Sequence, residues 1–143
     1  LEINPATAGI LRTLPIGFAP TDADLDPVSE RLYISNWGYS DTRVIDVAAW
    51  TELPSLKLGE DVFKLEITPK GRLITEEQDQ WIQLNIWDSA SGTNLGNSSN
   101  PYFSVREGDG QVDPTGNFYY HCDNNSSGAT IQKYNIAEDK FTL

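Results

Sequence analysis

Three phrases headed by proline recur along this chain and constrain it more than any other feature. "PVSERLYIS" starts at Pro27, "PKGRLIT" at Pro69 and "PTGNFYYH" at Pro114, so the prolines stand 42 and 45 residues apart. Each phrase leads through a polar loop to a second apolar run, "TRVIDVA", "IQLNIWDSA" or "TIQKYNIAE". Asp46, Asp88 and Asn135 follow their prolines by 19, 19 and 21 residues, and Asn4 precedes Pro27 by 23, as Asp46 precedes Pro69. After these positions come "GILRTLPIG", "ELPSLKLG" and "GTNLG", each closing on glycine. A fixed period of this length is the signature of a repeat architecture.

The runs are rich in strand-forming residues with period-2 alternation, and Gly, Pro, Asn and Asp punctuate them. No segment carries a sustained helical apolar period with caps. The pattern predicts four short strands per unit, at 22–26, 31–36, 42–48 and 52–58 in the first full one. Four strands on a period near 45 residues point to an all-β fold of β-propeller blades. The expected organisation is a single segment, 1–143, with units at approximately 1–20 (partial), 21–60, 61–100 and 101–143.

"DPVSERLYISNWGYSDTRVIDV" resembles the YVTN-type repeat of WD40-like β-propellers, whose units run as Asp-Pro, Arg-Leu-Tyr-Val, a polar turn and Val-Ile-Asp. "LNIWD" is similar to the Trp-Asp ending of WD40 blades, while the Gly-His of those blades is absent. The resemblance covers nearly the whole chain and implies an arc of about three blades, fewer than the four to eight of closed propellers. The expected partners are therefore further blades of a longer chain, or copies of this one. Leu1 at the start and the absence of methionine fit either a removed leader or a segment of something longer.

Composition narrows the partners. The net charge is −11, from 21 acidic and 10 basic residues, a field that repels nucleic acid and anionic membrane. No apolar run approaches the roughly 20 residues of a bilayer-spanning helix. A lone cysteine, Cys122, excludes an internal disulfide. Three sequons make Asn97, Asn124 and Asn125 glycosylation candidates. With the acidic charge and low lysine content, they lean towards a secreted or cell-surface setting.

Catalytic groups are scarce. His121 is the only histidine, and its neighbour Cys122 points to the opposite face of a strand, so the two cannot pair as base and nucleophile. "YYHCD" is read as an inner strand with a buried cysteine. Acidic residues are the most suggestive chemical feature. Asp22 and Asp24 share one strand face, and the matching strands offer Lys64 with Glu66, then Asp109. If these strands line a central channel, Asp22, Asp24, Glu66 and Asp109 could hold Ca²⁺ through oxygen ligands; otherwise they form a solvated wall. Trp37, Tyr39, Trp81, Tyr102 and Phe103 sit in or beside loops expected on one rim, where aromatics suit a protein or carbohydrate ligand. Trp50 and Trp87, near third-strand ends, read as packing residues.

Two functions follow. One is an extracellular or cell-surface module, non-catalytic, for binding or assembly. The alternative is part of a Ca²⁺-dependent propeller hydrolase or lactonase-like enzyme with acidic channel residues.

Overall fold

A computed structural model describes residues 1–17, 19–77, 80–98, 103–104, 109–123 and 130–142, with side chains for all but 80–82, 103–104 and 123. Among them there is no helix. A hairpin of β1 (Glu2–Ile3) and β2 (Ile10–Arg12) opens the chain. The first four-stranded sheet follows as β3 (Pro20–Asp26), β4 (Arg31–Asn36), β5 (Asp41–Asp46) and β6 (Thr51–Lys57), antiparallel in chain order. Sheet 2 begins with β7 (Val62–Ile67) and β8 (Arg72–Glu77). After the short β9 (Gln80–Ile82) it resumes with β10 (Asn85–Asp88) and β11 (Asn94–Asn97). β12 (Phe103–Ser104) pairs with β9 outside that sheet. Sheet 3 contains β13 (Asp109–Val112), β14 (Phe118–Asp123) and β15 (Thr130–Asn135), again in order.

The repeat spacing is explained by two kinds of turn. Pro27, Pro69 and Pro114 lie between first and second strands, and the residue before each proline ties the turn with its side chain. Asp26 accepts from Val28 N and Ser29 Oγ, at 2.9 and 2.6 Å. Thr68 Oγ1 accepts from Arg72 N at 3.0 Å, and Asp113 accepts from Asn117 N and Phe118 N at 2.9 and 2.8 Å. The second kind joins third and fourth strands. Asn4, Asp46, Asp88 and Asn135 accept from the backbone N–H of Ala6, Ala49, Ser91 and Ala137, respectively. Four residues after each cap the backbone turns left-handed, at Ala8, Trp50, Gly92 and Asp139, with φ of 54°, 56°, 70° and 57°. Only Gly92 takes that conformation without the Cβ penalty of about 1–2 kcal/mol.

Strand alternation then stacks the sheets. Leu73 and Ile74 are neighbours on β8 and face opposite ways. Leu73 joins Tyr33, Val44, Leu56, Leu65 and Trp87 in the core between sheets 1 and 2. Ile74 joins Ile86, Val112, Tyr119, Tyr134 and Phe141 in the core between sheets 2 and 3. An ion pair reinforces the second junction, where Arg72 Nε donates to Asp139 Oδ1 at 2.7 Å, while Nη1 donates to Asp88 Oδ2 within sheet 2 at 3.2 Å.

The expectation of a buried cysteine on an inner strand is corrected here. β14 is the middle strand of sheet 3, Cys122 is exposed, and His121 is the buried residue of the pair. Tyr119 and His121 face sheet 2, which places Phe118, Tyr120 and Cys122 on the face that looks away from it.

Candidate functional site

The acidic residues singled out on the first strands do meet. β3, β7 and β13 lie side by side at the inner edge of the stack, and their side chains form a polar ladder. Asp22 Oδ2 accepts the N–H of Leu65 at 3.0 Å, and Asp24 Oδ2 that of Ile67 at 2.7 Å. One sheet further on, Glu66 accepts the backbone N–H of Val112 and the Gln111 side-chain amide, the latter at 3.0 Å. Lys64, whose position matches that of Asp22, cannot accept; it lies 3.6 Å from Asp109 instead. The ladder has a physical reason. An innermost strand has a free edge of backbone donors, and an unmet donor next to a packed core is costly. Acidic side chains from the preceding sheet meet those donors.

Concentrated carboxylates perturb one another. Burial, and then the charges of Asp24 and Asp22, raise the Glu66 carboxyl to about 7. Among the described residues, no three His, Cys, Asp or Glu side chains are grouped so as to hold a metal ion. Asp22, Asp24 and Glu66 direct carboxylate oxygens to neighbouring backbone.

A second acidic side chain, Glu60, was not singled out in the sequence. It lies between β6 and β7, accepts from Thr75 Oγ1, and accepts from Asn85 Nδ2 at 2.6 Å. Trp87 Nε1 donates to the same Thr75 hydroxyl at 2.7 Å, so the Trp of "NIWD" anchors a buried relay. Burial, and then the nearby Glu77, push the Glu60 carboxyl up to about 7 against the hydrogen bonds that favour its charge. A third cluster joins sheets 2 and 3. Tyr119 Oη donates to Glu76 Oε1, with His121 Nε2 3.4 Å from the same oxygen, and all three side chains are buried. Tyr119 reaches Glu76 by crossing the bare backbone of Gly110, where a Cβ would lie 1.8 Å from its hydroxyl.

The rim residues divide. Trp37 and Tyr39 are exposed, 57% and 55%, on the loop between β4 and β5. A backbone bond from Trp37 N to Ala19 O and a bond from Gly38 N to the Asp61 side-chain Oδ1, at 2.9 and 3.0 Å, fix that loop against both adjoining linkers. Trp81 on β9 and Phe103 on β12 are described in backbone only, and the pairing of these strands brings their loops together. Tyr102, Asn124 and Asn125 lie outside the described residues. Asn97 ends β11 and is exposed. Trp87 is buried in the core, and Trp50 packs under the Arg12 guanidinium, 4.7 Å from its ring centroid.

Two four-stranded antiparallel sheets and one of three strands, stacked face to face with first strands innermost, define the architecture. The chain has a β-propeller-like fold. Its coordinates match those of hydrazine synthase from Kuenenia stuttgartiensis with a TM-score of 0.78 at 14% identity, over 99% of this chain and 41% of that one. A chain in a crystal structure of the mitotic checkpoint complex matches with a TM-score of 0.63 at 13% identity, over 81% of this chain and 36% of that one. The propeller segment thus spans about two-fifths of the length of these chains. No family model and no curated protein matches the sequence. The three sheets can be called blades 1, 2 and 3, and the β1–β2 hairpin lies beside the outward face of blade 1.

Proposed function

We propose that this chain is a non-catalytic assembly and binding module, whose terminal blade faces are covered by further propeller blades in the working protein. The observation that carries the reading is apolar surface left open on two blade faces. On blade 1, the half-buried Leu32 and Trp50 border a groove of about 380 Å³ shared with Leu14, Ile16 and the 70% exposed Leu1, while Ile34 and Ile45 beneath it are already buried. On blade 3, Tyr120 is 40% and Ile131 75% exposed. The equivalent surfaces between blades 1 and 2, and between blades 2 and 3, form the two cores. Burying apolar area is worth about 25 cal/mol per Å², so such faces favour a cover. A blade fits because the cores within this chain show what a blade face packs against. The occupant is a blade of a longer chain or of a second copy.

Sedimentation velocity of the 143-residue chain at micromolar concentration tests the reading. Association beyond 15.9 kDa supports it, and a stable compact monomer overturns it. A secreted or cell-surface setting is part of the proposal, supported by the acidic composition and the exposed Asn97. Intact mass after secretion from a eukaryotic host should carry glycan that Asn97→Gln reduces.

A further inference from the structure

A small polar pocket lies under the Trp37–Tyr39 loop, on the face of blade 1 that looks away from blade 2. Gly17, Asn36, Tyr39, Asp41, Arg43 and Ser55 line it, around a space of about 120 Å³. This is below the size of drug-sized sites and suits a single ring-sized group. Asn36 is only 4% exposed, and among the described residues its Oδ1 has no hydrogen-bond partner. A buried carbonyl oxygen left in this state is costly unless something donates to it.

The charges around the pocket are already balanced. Asp41 pairs with Lys57, and Arg43 Nη1 donates to Glu52 Oε1 at 3.0 Å. The net charge of −11 disfavours an anionic guest. What remains is a mixed set of donors and acceptors on Asn36, Ser55, Arg43 and Asp41, beside the exposed ring of Tyr39. The loop carrying that ring is held in place, with Tyr39 N donating to Asn36 O at 3.3 Å and Gly38 N to Asp61 Oδ1 at 3.0 Å. At Gly17 a Cβ would lie 3.0 Å from Arg43 Nη2, so the guanidinium packs on bare backbone.

We infer that this pocket is a carbohydrate subsite taking one neutral pyranose ring. One hydroxyl donates to Asn36 Oδ1, others exchange hydrogen bonds with Ser55 and Arg43, and an apolar C–H face of the ring stacks on Tyr39. The pocket shares the outward face of blade 1 with the apolar groove but is lined by other residues, at the end of that face beside the Trp37–Tyr39 loop. A covering blade must therefore leave this end open, and sedimentation does not report on sugar binding.

Saturation-transfer NMR of the 143-residue chain with the methyl glycosides of glucose, galactose, mannose and N-acetylglucosamine tests it. At least one glycoside should bind saturably with a Kd in the millimolar range, on the order of 1–10 mM. Tyr39→Ala should weaken that binding roughly tenfold, while Tyr39→Phe, which keeps the stacking face, should leave it within about threefold. Ser55→Ala should weaken it, and Val28→Ala, exposed in the turn between β3 and β4 at the other end of the blade, should not. Circular dichroism confirms that each variant is folded. Lack of saturable binding by any of the four glycosides on folded protein overturns the inference. So does binding indifferent to Tyr39→Ala, or preference for glucuronate over methyl glucoside.

Discussion

Asp24 on β3 accepts the backbone N–H of Ile67 on β7 at 2.7 Å, so a side chain of blade 1 completes the backbone of blade 2. Asp22 does the same for Leu65, and Glu66 for Val112 in blade 3. The acidity of the inner strands is in this way tied to blade registration.

Asp24→Ala should therefore destabilise the chain by about 1–3 kcal/mol, the range for losing a charge-assisted bond to a partly buried donor. Asp24→Asn, which keeps an acceptor, should cost less. It should also lower the raised Glu66 pKa, because one of the repelling charges is gone. Urea denaturation and NMR titration of the Glu66 carboxyl carbon measure the two effects. A Glu66 pKa unchanged in Asp24→Asn would contradict the proposed coupling.

Stability should fall as pH rises from about 4.5 to about 7. Glu60 and Glu66 both titrate near 7 when folded, against an ordinary 4.5, so the folded state binds their protons more tightly. Their stabilising contribution is complete below the lower value and lost through the upper one. Glu60→Gln combined with Glu66→Gln should flatten the dependence in denaturation curves across that window. Asp113 acts oppositely, because hydrogen bonds led by the Thr115 hydroxyl hold it at about 2. Its contribution is present above about 3.8 and lost as pH falls towards 2.

Gly110→Ala should cost about 1–3 kcal/mol, the penalty for forcing extra bulk into a packed interior. The added methyl would stand 1.8 Å from the Tyr119 hydroxyl and drive it from Glu76. Thermal denaturation measures the loss, and near-UV circular dichroism should report the displaced Tyr119 ring. An unperturbed melting temperature would show that Tyr119 does not cross that backbone.

Cys122 should react with a maleimide in the folded, isolated chain, since its side chain is exposed on the open face of blade 3. Once another blade covers that face, the thiol should be protected. Comparing labelling before and after association, by mass spectrometry, checks both states. Equal labelling in the assembled form would place the interface elsewhere.

Much of the blade was legible because its determinants are local. The capping residues Asn4, Asp46, Asp88 and Asn135 act on turns within four positions of themselves, and alternation along β8 alone assigns Leu73 and Ile74 to different cores. The β9–β12 ribbon was not foreseen, because it joins a loop of blade 2 to the linker before blade 3, which pair only after the blades have stacked. Cys122 was misassigned for a similar reason. Alternation separates it from His121, but which of the two is buried depends on which face of β14 meets sheet 2.

The sequence by itself determined the repeat, the strands and the turns, since each rests on contacts between residues a few positions apart. Tertiary structure decided what the side chains do. Asp24 and Ile67 are 43 residues apart, as are Tyr119 and Glu76, and no local propensity relates either pair. Stacking of blades brings them together, turns acidic inner residues towards backbone donors, and leaves Asn36 Oδ1, beside the rim pocket, without a partner among the described residues.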